Sequence, residues 1–179
     1  TIVDVCGAPG GKSINAALKM SEQGDCGRVI ARDLSDYKVA LIDENIKRLN
    51  ITNIQTQVYD ALDCDESLIN KADIVIADLP CSGLGIIGRK PDIKYNASPE
   101  KLQSLVDLQR DILKVVSRYV KSGGVLMYST CTINRAENED NADWICKESG
   151  FTKDGEYHQL LPANNSGMDG FFVARLIKN

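Results

Sequence analysis

The stretch Ile2-Val3-Asp4-Val5-Cys6-Gly7-Ala8-Pro9-Gly10-Gly11-Lys12 passes from an apolar run into a glycine turn and then into a helical pattern. Ile2–Cys6 reads as a short strand. Beyond Gly10-Gly11, Ile14, Ala17 and Leu18 fall on one helical face. Strand, glycine turn and helix form the opening unit of a doubly wound sheet, and the alternation continues along the chain. Arg28–Asp33 reads as the second strand, after which Ser35 caps a helix with Val39, Ile42, Ile46 and Leu49 at helical spacing. Ile54–Tyr59 alternates apolar and polar, as a strand near a sheet edge does. Ala72–Ala77 is almost continuously apolar, the pattern of a parallel strand covered on both faces. Pro99 opens a long helix carrying Leu102, Leu105, Val106, Ile112, Leu113 and Val116, which Gly123-Gly124 is expected to end. Val125–Cys131 then reads as a buried strand, Asn134 and Glu137 as a capping box for a helix to about Ser149, and Gly170–Ile177 as a closing strand. Such alternation predicts an α/β fold built on a parallel, doubly wound sheet.

Composition bounds the reading. At 179 residues and 43% hydrophobic, the chain can bury one full core, so a single domain over residues 1–179 is expected. The chain begins without methionine inside a strand-like run, which suggests a domain excised from a longer protein. The six cysteines (6, 26, 64, 81, 131 and 146) form no C-x-x-C pair, and one histidine leaves too few ligands for a zinc site, so no metal is expected. A chain of this size needs no disulfides, and the cysteines read as reduced thiols of a cytoplasmic protein. No apolar run is long enough to cross a bilayer. A net charge of −4 excludes a surface that is basic throughout, so any nucleic acid must be gripped by a local patch or by another domain.

Ligands of a doubly wound sheet collect at the carboxyl ends of its strands. Four polar strand ends meet that rule here. The Cys6–Lys12 turn lets backbone approach a ligand closely, although a tight turn alone would look the same. It is not a phosphate-binding P-loop, because Cys6 stands where that motif needs glycine. Asp33 ends the second strand about 20 residues past the glycines, where a carboxylate accepts from ribose hydroxyls. The two features imply an adenosine-containing cofactor and leave NAD and S-adenosylmethionine both open. The remaining ends are Asp78-Leu79-Pro80-Cys81-Ser82-Gly83 and Tyr128-Ser129-Thr130-Cys131. Free cysteine is often just a small buried hydrophobe, and that is how Cys26, Cys64 and Cys146 read. It explains Cys81 and Cys131 poorly, since both end up in the expected cleft beside a carboxylate.

Cysteine is the residue that methylation of a pyrimidine ring requires. Cytosine C5 is a weak nucleophile; a thiolate adding at C6 makes C5 enamine-like, so that it can accept a methyl group. Loss of the C5 proton and of the thiolate then restores the ring. A carboxyl such as Asp78, bonded to the amide-like edge of the base, would stabilise charge at N3 during attack.

D-V-C-G-A-P-G-G-K-S, A-D-L-P-C-S-G-L-G and Y-S-T-C-T resemble three signature motifs of the NOL1/NOP2/Sun RNA (cytosine-5) methyltransferases. R-K-P-D-I-K-Y at 89–95, the Glu137-Asn138-Glu139 run and the terminal D-G-F-F-V-A-R-L extend the resemblance over nearly the whole chain. Within that family it is most similar to the bacterial Sun-type enzymes acting on 16S rRNA. The resemblance implies a Rossmann-like class I methyltransferase fold, with a mostly parallel seven-stranded sheet and helices on both faces. It implies S-adenosylmethionine as cofactor, wrapped by Cys6, Gly7, Ala8, Pro9, Gly10, Gly11 and Lys12, with Asp33 on the ribose, Asp60 near the adenine and Asp78 near the methionine part and the base. It also implies Cys131 as nucleophile and Cys81 as an aid to product release, whereas the DNA enzymes use the cysteine of the P-C motif for attack. Gly7 and Ser13 stand where Ala and Thr are more usual in the family. The implied partner is RNA, rRNA first and tRNA as the alternative, with the chain a monomer. Family members also carry an N-terminal extension and often a separate RNA-binding domain.

Other polar residues carry less weight. Arg89, Lys90 and Lys94 follow the Cys81 loop and suit a clamp on RNA phosphates as well as they suit a solvated loop. Arg110, Lys114, Arg118 and Lys121 read as a solvated helix face, His158 as structural, and Trp144 with Phe171-Phe172 as core, with room for one phenylalanine to border the site. A dehydrogenase on the same fold leaves the paired cysteines unexplained, and a non-catalytic RNA-binding module leaves every reactive group unused.

Overall fold

Successive side chains of β1 (Ile2–Asp4) are all buried, so this strand is covered on both faces and belongs in the middle of a sheet. The computed structural model describes residues 1–162 and 167–179. In it the chain continues through α1 (Gly11–Glu22), β2 (Val29–Asp33), α2 (Asp36–Leu49), β3 (Ile54–Val58), β4 (Ala72–Asp78), α3 (Ile93–Asn96), α4 (Pro99–Val116) and β5 (Val120–Thr130). It closes with α5 (Glu139–Ser149), β6 (Phe151–Lys153), β7 (His158–Leu160) and β8 (Phe171–Lys178). The strand order is β3-β2-β1-β4-β5-β8-β6, with β7 also paired to β8. The first five strands are parallel, and β8 runs antiparallel to β5, β6 and β7. The expected sheet is therefore found, with eight strands among the described residues rather than seven. β8 follows β7 with no helix among the described residues and returns antiparallel to it, while β6 and β7 lie in one direction along the same edge of β8.

Pleat alternation divides the core. Ile2 and Val29 meet Ala17 and Met20 of α1 on one face, with Ile74 and Ile76 packed alongside. Val3, Ile30, Val75 and Ala77 point the other way, into a cluster with Ile112, Leu113 and Val116 of α4 and Ala142 and Ile145 of α5. Helices thus cover both faces. Leu18 and Leu49, read as core-facing, are 46% and 43% exposed and sit at the edges of their apolar stripes.

Several local expectations are corrected. α4 stops at Val116, and Gly123-Gly124 lies inside β5, where the pairing with β4 shifts register between Ala72 and Ile74. The reason is steric: a Cβ on Gly124 would sit 2.9 Å from the Lys121 carbonyl oxygen and 3.0 Å from that of Asp73. The glycines therefore mark a bulge, not a helix end. Asn134 does cap, but it caps a single 3-10 turn, Arg135–Glu137, and Glu137 folds inward instead of completing a capping box; α5 starts only at Glu139. Lys121, assigned to the α4 face, lies on β5. Cys26, read as a small buried hydrophobe, is instead exposed, while Cys64 and Cys146 are half-buried. Trp144 is also only half-buried, with the Arg110 guanidinium 5.2 Å from its ring, and His158 is exposed on β7.

The long β4–α4 connection is pinned by a glycine pair. Gly85 N–H donates to the Cys131 carbonyl at 3.1 Å, and Gly170 N–H donates to the Gly85 carbonyl at 2.7 Å. A Cβ on Gly85 would lie 2.5 Å from the Gly170 oxygen and 2.7 Å from the Cys131 oxygen, both backbone atoms. Gly85→Ala should therefore cost ~1–3 kcal/mol as an overpacking change, read as a lower urea midpoint. Gly88→Ala, where the added methyl meets nothing within 4 Å, should stay within about 0.5 kcal/mol. Equal stability of the two variants would contradict the pinned packing.

Candidate active site

In strand order β3-β2-β1-β4-β5 the chain winds outward from β1 and then crosses back to β4, so the topological switch point lies between β1 and β4. A cavity of about 960 Å3 opens at those carboxyl ends, large enough for a nucleoside cofactor together with a base. At one end it is lined by Asp33, Leu34, Lys38, Asp60 and Leu62, at the other by Cys81 and Cys131, with Val5, Cys6, Ala8 and Asp78 between them.

Of the residues expected to wrap a cofactor, Cys6 and Ala8 line this cavity. Gly7 N–H donates to the Arg32 carbonyl at 2.7 Å, and the Pro9 carbonyl accepts from Asn45 Nδ2 at 3.0 Å, so these two hold the turn against β2 and α2. Gly10 adopts φ 107°, a conformation that favours glycine, and a Cβ there would crowd Ile42 and Ile14. Gly11 begins α1. Lys12 does not stay with its turn: its ammonium pairs with Asp78 Oδ2 at 2.6 Å and lies 5.2 Å from the Phe171 ring. Phe171 is thus the phenylalanine nearer the site, while Phe172 is fully buried.

Asp33 is 4% exposed and its carboxylate takes the Ala8 amide at 3.0 Å, its own neighbour's Leu34 amide at 2.8 Å and Lys38 Nζ at 2.9 Å. It locks the glycine turn to β2 while keeping acceptor capacity towards the cavity. Asp60 accepts the Leu62 amide at 2.9 Å, shaping the rim opposite. Tyr59 beside it is held by Arg32, whose guanidinium stacks 4.2 Å from the ring and pairs with Asp65. Burial raises the Cys6 thiol to about 12, with the negative Asp33 adding to the effect, so Cys6 is an inert wall. Asp4 lies below the turn; burial lifts its carboxyl to about 6, against the opposing bond from Ser13 Oγ at 2.6 Å. A methyl on Gly7 would come within 3.2 Å of the Asp4 carboxyl carbon and 3.3 Å of Ser13 Oγ.

At the other end, β4 and β5 pair with Asp78 opposite Ser129. Ser129 Oγ donates to Asp78 Oδ1 at 2.8 Å while Lys12 holds Oδ2, so the carboxylate is oriented from both sides. The two sulfurs lie 3.2 Å apart. Either sulfur can donate in this contact; when Cys131 is the one ionised, the Cys81 thiol donates to it, which drives the Cys81 pKa up, burial adding to this. The same bond lowers Cys131 to about 7, overcoming burial and the repulsion of Asp78. Sequence reasoning assigned nothing to Ser129, although it stands in the Y-S-T-C motif, and read Glu137 as a cap because its spacing from Asn134 imitates one. Of the three basic residues singled out, Lys90 lines the cavity, Arg89 pairs with Asp169 at 3.1 Å, and Lys94 lies 4.7 Å from the Tyr95 ring. No group of three metal-ligating side chains occurs among the described residues, and no helix there is long and apolar enough to cross a membrane.

This sheet order, with its cleft at the switch point and an acidic residue ending β2, defines a class I S-adenosylmethionine-dependent methyltransferase fold. The profile of the family described as 16S rRNA methyltransferase RsmB/F matches residues 1–177, and the chain belongs to that family. It is 37% identical to the probable ribosomal RNA small subunit methyltransferase B of Bacillus subtilis, over 99% of this chain and 43% of that protein. It is 33% identical to the ribosomal RNA small subunit methyltransferase F of Escherichia coli, over 99% of this chain and 40% of that protein. The chain thus spans about two fifths of the length of these curated relatives. Among solved structures, NSun6 from Pyrococcus horikoshii with SFG superposes with a TM-score of 0.85 at 28% identity, covering 99% of this chain and 47% of the other.

The sulfur pair is open to direct titration. Alkylation of Cys131 by iodoacetamide, located by peptide mass mapping, should show a pH midpoint below the ordinary thiol value. The bond from Cys81 favours the thiolate, so its removal in Cys81→Ala should raise the midpoint towards the ordinary thiol value of ~8.5. An unmoved midpoint would mean that the sulfur contact does not activate Cys131.

Proposed function

We propose that this chain is the catalytic domain of an RNA methyltransferase that transfers a methyl group from S-adenosylmethionine to C5 of a cytosine in 16S rRNA. It acts as a monomer and without a metal ion. The observation that carries this reading is one cavity with an oriented carboxylate and two sulfurs 3.2 Å apart at its far end.

The residues present suit the cofactor. Asp33 offers acceptors where ribose hydroxyls would lie, Leu34 and Leu62 offer apolar surface for an adenine, Asp60 stands beside them, and Cys6 and Ala8 form the floor. When bound, S-adenosylmethionine supplies an electrophilic methyl. Everything else falls to the chain. Cys131 as thiolate adds to C6 of the base and the ring electrons move towards N3, while the Asp78 carboxylate, held by Ser129 and Lys12, accepts from the amino group of the amide-like edge and so orients the ring. C5 takes the methyl, loses its proton to a base, and the C6–S bond breaks with its electron pair returning to the Cys131 sulfur. The Cys81 thiol stabilises that thiolate both before attack and on departure, which supports its role in release. Lys90, which lines the cavity, is the best placed of the three basic residues to meet an RNA phosphate, with Arg89 beside it in the chain and Lys94 on α3.

Cys131→Ala should abolish methylation and leave no covalent adduct on a denaturing gel with labelled RNA. Cys81→Ala should still attack, about tenfold more slowly at neutral pH for its smaller thiolate fraction. It should then stall, so that a denaturation-resistant protein–RNA complex accumulates. Adduct from the Cys131 variant and none from the Cys81 variant would reverse the assignment. Bisulfite mapping of rRNA and tRNA from cells lacking the gene identifies the target; a lost signal in tRNA alone would move the substrate. For the cofactor, Asp33→Ala should weaken S-adenosylmethionine by ~1–3 kcal/mol, or about 5- to 150-fold in Kd. An unchanged titration would remove Asp33 from the site.

A further inference from the structure

The turn that carries Cys81 is gripped on both sides of the cysteine by one buried network. Before it, the Pro80 carbonyl accepts from Gln109 Nε2 at 2.9 Å. After it, the Ser82 amide donates to Glu137 Oε2 at 2.9 Å. Gln109 Nε2 also donates to Glu137 Oε2, at 3.0 Å, and Asn134 Nδ2 donates to Oε1 at 3.0 Å. Glu137 and Gln109 are both 0% exposed. A second set of bonds holds the Cys131 side: Asn138 accepts from Thr130 Oγ1 at 2.5 Å and donates to the Thr132 carbonyl at 3.0 Å. Ser82 and Thr132, the residues after the two cysteines, join through their hydroxyls at 2.7 Å.

Among the described residues, no cation is a hydrogen-bond partner of Glu137. A buried carboxylate facing only neutral donors carries a desolvation cost that an ion pair would have offset. What the site requires is an acceptor at both oxygens, because three N–H groups converge there, and only a carboxylate side chain accepts at both. We propose that Glu137 is a positioning residue, acting through the Ser82 amide to hold Cys81 within hydrogen-bond reach of Cys131.

The groups facing Cys131 are Cys81 on the turn after β4, Asp78 at the end of β4 with Lys12 paired to it, and Glu137 itself. Two effects of Glu137 on the Cys131 thiolate therefore oppose each other. Its charge disfavours the thiolate, weakly, whereas the Cys81 bond it maintains favours the thiolate and is the dominant influence.

This opposition makes the test decisive. Glu137→Gln keeps an oxygen for the Ser82 amide and removes the charge, so the iodoacetamide midpoint of Cys131 should stay at or slightly below the wild-type value. Glu137→Ala removes the acceptor, so the midpoint should rise towards that of Cys81→Ala. Should the Ala variant fail to fold, Gln109→Met, which releases Pro80 on the other side of the same turn, should raise the midpoint in its place. An Ala variant that is folded with an unmoved midpoint, or a Gln variant displaced as far as the Ala variant, overturns the proposal. With RNA and S-adenosylmethionine, Glu137→Ala in the intact protein should also accumulate covalent adduct, as Cys81→Ala does. This last expectation rests on the function proposed above. If Cys131→Ala itself still methylates RNA, that reading fails while the thiol titration continues to test Glu137.

Discussion

Parallel pairing of β4 with β5, in the register that sets Asp78 opposite Ser129, is the constraint on which the rest of the site depends. Both strands are apolar where they meet, with Val75 opposite Leu126 and Ala77 opposite Tyr128, all fully buried. A slip of one residue would turn each of these onto the wrong face, which is why the register is strongly determined. The bulge at Gly123-Gly124 absorbs the extra residues between Val120 and Val125, so the ladder resumes in phase at Ile74. Once the register is set, the Asp78–Ser129 bond, the sulfur pair and the Ser82–Thr132 bond all follow as neighbours across one strand boundary.

Electrostatics at this boundary run against a thiolate. Asp78 and Glu137 are both negative towards Cys131, burial adds to the penalty, and Lys12 is already paired with Asp78. A single short-range bond from Cys81 outweighs them because it acts at contact distance on the charged form itself, whereas the carboxylates act from further away. The reactivity of one cysteine is therefore conditional on the placement of the other. Placement, in turn, is governed by polar side chains buried between α4 and the turn after β5, the carboxylate Glu137 with the neutral Gln109 and Asn138. Such a network is demanding, since every donor left without its acceptor in that interior is costly.

Much of this was legible in the residues. The order of strands and helices and the strand ends that carry Asp33, Asp78, Cys81 and Cys131 follow from local pattern and agree with the structure. Other features were hidden for identifiable reasons. Asn134 and Glu137 have the spacing of a capping box, yet Glu137 turns inward because Ser82 and Gln109, 55 and 28 residues away, supply its donors. Lys12 sits in a cofactor-type turn, but its long side chain reaches Asp78, 66 positions further along. Gly123-Gly124 carries the composition of a helix end and serves as a bulge, because β5 begins four residues after α4 stops. β6 and β7 are three residues each and give too little period to read.

Sequence alone determined the class of fold and the inventory of reactive groups, because periodicity, turn chemistry and strand-end position are properties of neighbouring residues. It could not distinguish two cysteines that end adjacent strands. Their 3.2 Å separation and the buried carboxylate that holds one turn against the other came from the folded chain. These depend on register and on how far side chains reach across the sheet, and both are settled only when segments distant along the chain pack together.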